Sequence, residues 1–254
     1  ARCLPLPGGL RRAVSGALRR SAAAARPAPA LAVLAARGRL VTAARQRALA
    51  EGGRLCASDL HLLLNLLGGG VGAGEVWTPV CLPRFNPDGY FYAYAARLGE
   101  EEEEEEEEEG VTLILLSTER EGFYAAAACR RQLEETLRAQ GWLAELAAAV
   151  RGGAGYGPSR PGAPELRHFL YKPLEGPEEM QQLPQFTRWV GNVGEKRGKS
   201  RRIRGSPQVT SKFELYSCFS PLVTKAGAIA VLTKLLRWLK KEEDWLFIRY
   251  PAPF

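Results

Sequence analysis

The sequence predicts an α+β chain, with mostly antiparallel sheets built from hairpins and flanked by helices, repeated in two consecutive units. Three observations carry that reading. Short alternating or branched-rich apolar runs are separated by turn residues, leucine- and alanine-rich helical stripes lie between them, and 254 residues suffice for two modest cores.

Residues 1–30 hold Pro5, Pro7, Pro27 and Pro29 around a short basic stretch, which predicts a lead-in segment or solvated linker helix. The first fifty residues contain no acid and many arginines, a composition that mitochondrial transit peptides share. A front portion missing from the chain is the other expectation, since the sequence does not start with Met. The runs at 31–36 and 39–44 flank Arg37-Gly38 and predict a hairpin.

Leu60, Leu63, Leu64 and Leu67 recur at helical spacing after Ser58, which is placed as the N-cap, and Gly68 to Gly70 stop the helix. Leu62 and Leu66 fall off that stripe, so the helix is expected to be buried over most of its circumference. Residues 76–82 alternate but contain Pro79, which predicts an edge strand. Asn86-Pro87-Asp88-Gly89 supplies turn chemistry, and Tyr90, Tyr92 and Tyr94 alternate in the strand that follows.

The run at 111–116 is unbroken and branched-rich, the pattern of a central strand covered on both faces. Thr118 and Glu121 have capping-box spacing ahead of a stripe of Phe123, Ala126, Cys129, Leu133 and Leu137, with Glu134 and Arg138 at i, i+4. Gly141 ends this helix, and residues 142–150 predict another.

Beyond residue 150 the signals thin out. Residues 151–164 are rich in Gly and Pro and read as a linker, 166–171 and 212–219 alternate as strands, and Thr224 opens a long basic amphipathic helix. On a helical wheel Ile229, Leu232, Leu236 and Leu239 fall together, opposite Lys234, Arg237 and Lys241 with Trp238 close by. That face is either solvated or a contact for a membrane surface or an acidic partner.

The net charge of +7 favours acidic partners, but it is unevenly spread. Glu100 to Glu109 is a low-complexity, self-repelling acidic loop without the converging geometry of a cation site. Six cations between Lys196 and Arg204 could serve nucleic acid, although no aromatic residues interleave for base stacking. The segment Gly194 to Ser200 has three residues between its glycines where a phosphate loop needs four. Five widely spaced cysteines indicate no disulfide framework, and His61 and His168 give metal or nucleophile chemistry almost nothing to draw on. No catalytic, cofactor-binding or metal site is therefore expected, and no apolar run is long enough to span a bilayer.

Several segments, in order, resemble the Mon/SAND family of vacuolar fusion proteins. They are Arg2-Cys-Leu-Pro-Leu6, Ser58-Asp-Leu-His-Leu-Leu-Leu-Asn65, Trp77-Thr-Pro-Val-Cys-Leu-Pro-Arg-Phe-Asn86, Leu115-Leu-Ser-Thr-Glu-Arg-Glu121, Leu166-Arg-His-Phe-Leu-Tyr-Lys172, Phe213-Glu-Leu-Tyr216, Ser220-Pro221 and Arg237-Trp-Leu-Lys-Lys-Glu-Glu-Asp244. The resemblance implies longin domains, whose order of two strands, helix, three strands and two helices is the order read for residues 31–150. It makes 31–150 the second longin domain and 165–254 the third. Residues 177–211 are unlike the family and 184–211 look disordered, so the third sheet is expected to be incomplete.

Family members pair with a Ccz-type subunit as a guanine-nucleotide exchange factor for late-endosomal Rab GTPases, driving endosome maturation and fusion with the lysosome or vacuole. The resemblance implies that the first longin domain, where the family's Rab-contacting surface lies, is not among these residues, so no exchange residue is carried over. The expectation is a non-catalytic scaffold portion without cofactors, cytoplasmic and peripheral to late endosomal or lysosomal membranes. Lys234, Arg237, Trp238 and Lys241 are its candidate membrane or partner surface. The alternative is a basic nucleic-acid-binding module.

Overall fold

The computed structural model describes residues 3–47, 57–67, 74–99, 110–152, 161–174, 185–187, 204–242 and 252–253. The fold is α+β. Helix α1 (Gly8–Ala24) buries Leu10, Val14, Ala17, Leu18 and Ala22, an apolar stripe hidden in the sequence among arginines. Each fully buried leucine or valine of this kind contributes about 1.5–3 kcal/mol. The expectation of a solvated linker at 1–30 is therefore corrected. Ahead of the helix, Cys3 bridges to Leu40, and the Leu4 amide donates to the Leu40 carbonyl at 2.8 Å.

Strands β1 (Leu31–Ala36) and β2 (Arg39–Arg45) form the expected hairpin. Its two-residue turn has positive φ at both Arg37 (49°) and Gly38 (64°), the handedness that matches the twist of the flanking strands. Helix α2 (Ala57–Leu67) follows, then β3 (Val76–Val80), β4 (Phe91–Leu98), β5 (Val111–Ser117), α3 (Phe123–Ala139) and α4 (Trp142–Arg151).

Strand β5 is buried along its whole length and pairs on both sides, with β1 and β4. Alternation divides its side chains. Val111, Leu113 and Leu115 join the core beneath α1, α3 and α4, while Ile114 and Leu116 join the core on the α2 face.

Local corrections follow from hydrogen bonding and packing. Ser58 lies inside the first turn of α2 and is not its N-cap. Leu62 and Leu66 are 52% and 62% exposed, so α2 buries one stripe and presents a second, apolar one to solvent. Thr118 and Glu121 form no capping box: α3 starts at Phe123 behind an uncapped Gly122, and the Ser117 hydroxyl holds the preceding turn by accepting the Glu119 amide at 3.0 Å. Gly141 separates α3 from α4 in the left-handed region, with φ 71°.

The second sheet comprises β6 (Leu166–Pro173), β7 (Gln185–Thr187), β8 (Arg204–Val209) and β9 (Phe213–Phe219), in the order β7-β6-β9-β8. Helix α5 (Lys225–Lys241) packs Val231, Leu232, Leu235 and Leu239 in one cluster with Leu166, Phe169, Leu215 and Phe219. Two strands thus fall within the stretch expected to be disordered. The remainder of the cationic run, the glutamate run and residues 153–160 of the expected linker lie outside the described residues.

The last strand, β10 (Ala252–Pro253), pairs in parallel with Ala44 and Arg45 of β2. It completes a first sheet ordered β10-β2-β1-β5-β4-β3, so these residues belong there and not to the second unit.

Candidate docking surfaces

Thr224 caps α5 as expected, its hydroxyl accepting the Gly227 amide at 3.1 Å. The helix has no acid in its first turn and carries Lys240 and Lys241 in its last, where cations complement the carbonyl end of the helix dipole. Lys234, Arg237 and Lys241 are all exposed along one side. Lys234 Nζ also donates to the Gly162 carbonyl at 3.2 Å.

Trp238 does not join them. Its ring packs edge-on against Phe169, with centroids 6.3 Å apart at 83°, and leans on the core. The buried stripe is also rotated from the one expected, because Val231 and Leu235 are buried, Leu236 is half-buried and Ile229 is 56% exposed. The structure therefore gathers three of the four predicted surface residues and assigns the fourth to packing.

An open pocket of about 440 Å³ lies beside the start of α5, between Glu165, Arg167, Ser220 and Val223. Both signs of charge line it, so it does not focus the field of either. On α2, Asp59 is buried in the first turn, where helix amides stabilise a carboxylate, and its Oδ2 has no hydrogen-bond partner among the described residues.

A polar chain runs along the α3 face of the first sheet. The Tyr94 hydroxyl donates to Glu75 Oε1 at 2.6 Å, and Arg130 lies 3.8 Å from the same carboxylate. Arg130 and Arg138 flank Glu134 at 3.1 and 3.0 Å. Burial, then the Glu75 carboxylate, pushes the Tyr94 phenol far above its ordinary value. Burial alone pushes the Cys129 thiol up to about 11, which keeps it unreactive.

Beside this chain the aromatic residues cluster. Trp77 stacks on Tyr92 with centroids 5.8 Å apart and meets Phe123 edge-on at 6.1 Å, and Tyr124, edge-on to Phe123, stands 82% exposed. Tyr90, just ahead of β4, is 65% exposed. Sequence reasoning gave none of these a functional role, nor Leu62 and Leu66. The signal was present in the tyrosine alternation and in the leucines off the helical stripe.

Among the described residues no group of three or more His, Cys, Asp or Glu converges as a metal site, and no helix is long and apolar enough to cross a membrane. Residues 30–135 match the family model of the second longin domain of FUZ, MON1 and HPS1, and residues 200–243 match that of the third. The chain is 46% identical to the mouse vacuolar fusion protein MON1 homolog B, over 79% of this chain and 42% of that protein. It is 36% identical to the human MON1 homolog A (77% of this chain, 32% of that protein) and to the pufferfish Takifugu rubripes Protein SAND (77% and 41%).

The chain belongs to the Mon/SAND family.

The second-domain match in this Mon/SAND chain takes in β1 to β5 and most of α3, and the third-domain match takes in β8, β9 and α5. The latter begins at residue 200, inside the segment expected to be unlike the family. The chain spans about 42% of the length of the mouse homolog B, and its MON1 relatives are named vacuolar fusion proteins.

Proposed function

We propose that this chain is a non-catalytic scaffold portion of a Mon-Ccz-type guanine-nucleotide exchange complex for late-endosomal Rab GTPases. It acts in endosome maturation and fusion with the lysosome or vacuole, held peripherally at those membranes from the cytoplasm. The observation that carries the reading is a tandem of longin matches in a chain whose MON1 relatives are named vacuolar fusion proteins. Exposed leucines on α2 and exposed cations on α5 support it, because both are surfaces that a docking protein uses and a buried core does not. Each cation near an anionic membrane contributes on the order of 1 kcal/mol, so a cluster on one helix supports reversible association.

The test is co-elution of the chain with a Ccz-type subunit, together with co-sedimentation on anionic liposomes. Lys234, Arg237 and Lys241 changed together to Glu lower sedimentation and leave the circular dichroism spectrum unchanged. Absence of co-elution removes the complex, and unchanged sedimentation returns the three cations to a solvated face. Against the nucleic-acid alternative, no affinity for RNA or DNA is expected at low salt, where phosphate contacts are strongest.

A further inference from the structure

Two charge features remain outside the docking surfaces above: the ten glutamates of Glu100 to Glu109 and the arginines of the acid-free start. Strand register brings them together. Leu98 pairs with Val111, so the glutamate run leaves and re-enters the sheet on neighbouring strands, β4 and β5. Ala36 pairs with the same Val111 from the other side, and that register continued by one residue sets Arg37 opposite Gly110. Neighbouring strands lie about 4.8 Å apart, so the β1–β2 turn stands at the foot of the run.

Cations surround that foot on both faces of the sheet. Arg37 is exposed in the turn itself. Arg39 is half-buried and pairs with Ala36, whose face it shares beneath α1 and α3. Arg97, one residue before Leu98, takes the opposite face. A Cβ added at Gly110 would meet Arg97 Nε at 2.5 Å and Nη2 at 2.7 Å, so this guanidinium fills the space over the residue that closes the run. On the other side Arg138 holds the Glu134 carboxylate that accepts the Gly99 amide.

The glutamates cannot move far from these groups. With both ends rooted on neighbouring strands, no residue of the ten-residue run lies more than about 18 Å from the foot, at about 3.5 Å per residue. A tether that short gives the run an effective concentration on the order of millimolar at the arginines, ahead of a free acidic segment of the same composition. Each guanidinium carries five donors, so several carboxylates can share one.

We infer that the collar formed by Arg37, Arg39 and Arg97 is the docking site of the chain's own glutamate run. Charge complementarity selects an acidic occupant, and the tether selects this one. A collar so occupied is not offered to nucleic acid or to anionic lipid, which leaves α5 as the basic surface for such partners.

Titration with a fluorescein-labelled decaglutamate peptide tests this on the whole chain at about 10 mM salt, where charges interact over about 30 Å. The chain with Glu100 to Glu109 replaced by a Gly-Ser run of equal length binds the peptide at least tenfold more tightly than the intact chain does. Arg37→Gln, Arg39→Gln and Arg97→Gln made together in the replaced chain abolish that gain and leave its thermal midpoint unchanged. Arg37→Gln alone, at the exposed turn, removes at least half of the gain and keeps the test open should the triple variant fail to fold. Equal binding by the intact and replaced chains shows the collar open and overturns the docking. A gain that survives the arginine substitutions comes from overall charge or from α5 and overturns the collar as its site. Exclusion of the peptide from the intact chain that weakens on dilution assigns the occupant to a second copy and overturns the tethered assignment.

Discussion

The carboxylate of Glu134 accepts the main-chain amide of Gly99 at 3.2 Å, fastening α3 to the residue that precedes the polyglutamate run. Glu134 is buried and is balanced by Arg130 and Arg138 on its own helix. Glu134→Ala leaves the half-buried Arg130 without that counter-charge and the Gly99 amide without its acceptor. A loss of about 2–3 kcal/mol is expected in urea unfolding. Glu134→Gln keeps an acceptor for Gly99 and recovers part of it.

Because that clamp secures the end of β4, the length of the glutamate run itself has little effect on the fold. Replacing Glu100 to Glu109 by a short Gly-Ser connection shifts the unfolding free energy by less than about 1 kcal/mol, since closure entropy varies only logarithmically with loop length. A larger change in the urea midpoint gives the run a structural role.

Arg11 is the second clamp. Its Nη1 donates to the Val41 carbonyl and its Nη2 to the Leu4 carbonyl, both at 2.7 Å in buried surroundings. Arg11→Ala orphans both acceptors and costs about 3 kcal/mol by thermal or chemical denaturation. Arg11→Lys recovers less than half, because one ammonium does not reproduce the guanidinium fork.

Alkaline pH destabilises the first unit through Cys129. Its thiol ionises near 9.0 when unfolded and only near about 11 when folded, so the unfolded chain loses its proton first. The stabilisation is complete below about 9 and falls away as pH rises toward about 11; Tyr94 shifts in the same direction. Urea midpoints measured between about pH 8 and about pH 10.5 decline. Cys129→Ala flattens the slope.

Trp238 separates packing from surface chemistry on α5. Trp238→Ala removes the ring set against Phe169 and destabilises the second unit by about 3 kcal/mol, read as a lowered thermal midpoint. Its effect on liposome binding is small at temperatures where the unit stays folded. A large loss of binding with an unchanged midpoint returns Trp238 to the membrane face.

The strands were legible where local pattern and local chemistry agreed. The β1–β2 turn announced itself through Arg37-Gly38, and the unbroken run from Val111 predicted a strand with neighbours on both sides. What stayed hidden depends on contacts distant in sequence. The α1 stripe of Leu10, Val14 and Leu18 was masked by arginines, of which Arg11 is itself buried. The orientation of Trp238 is set by Phe169, far away in the chain, and a helical wheel drawn on α5 alone contains no such information. Likewise, Thr118 and Glu121 have the spacing of a cap, but the turn held by Ser117 delays the helix past them.

The pairing of β10 with β2 carries a consequence for biosynthesis. Ala252 and Pro253 leave the ribosome after every other strand and helix described above, so β2 waits for this outer neighbour until all of them have been made. Nascent chains halted before that point expose a bare strand, and it is at this seam that quality-control factors would meet them.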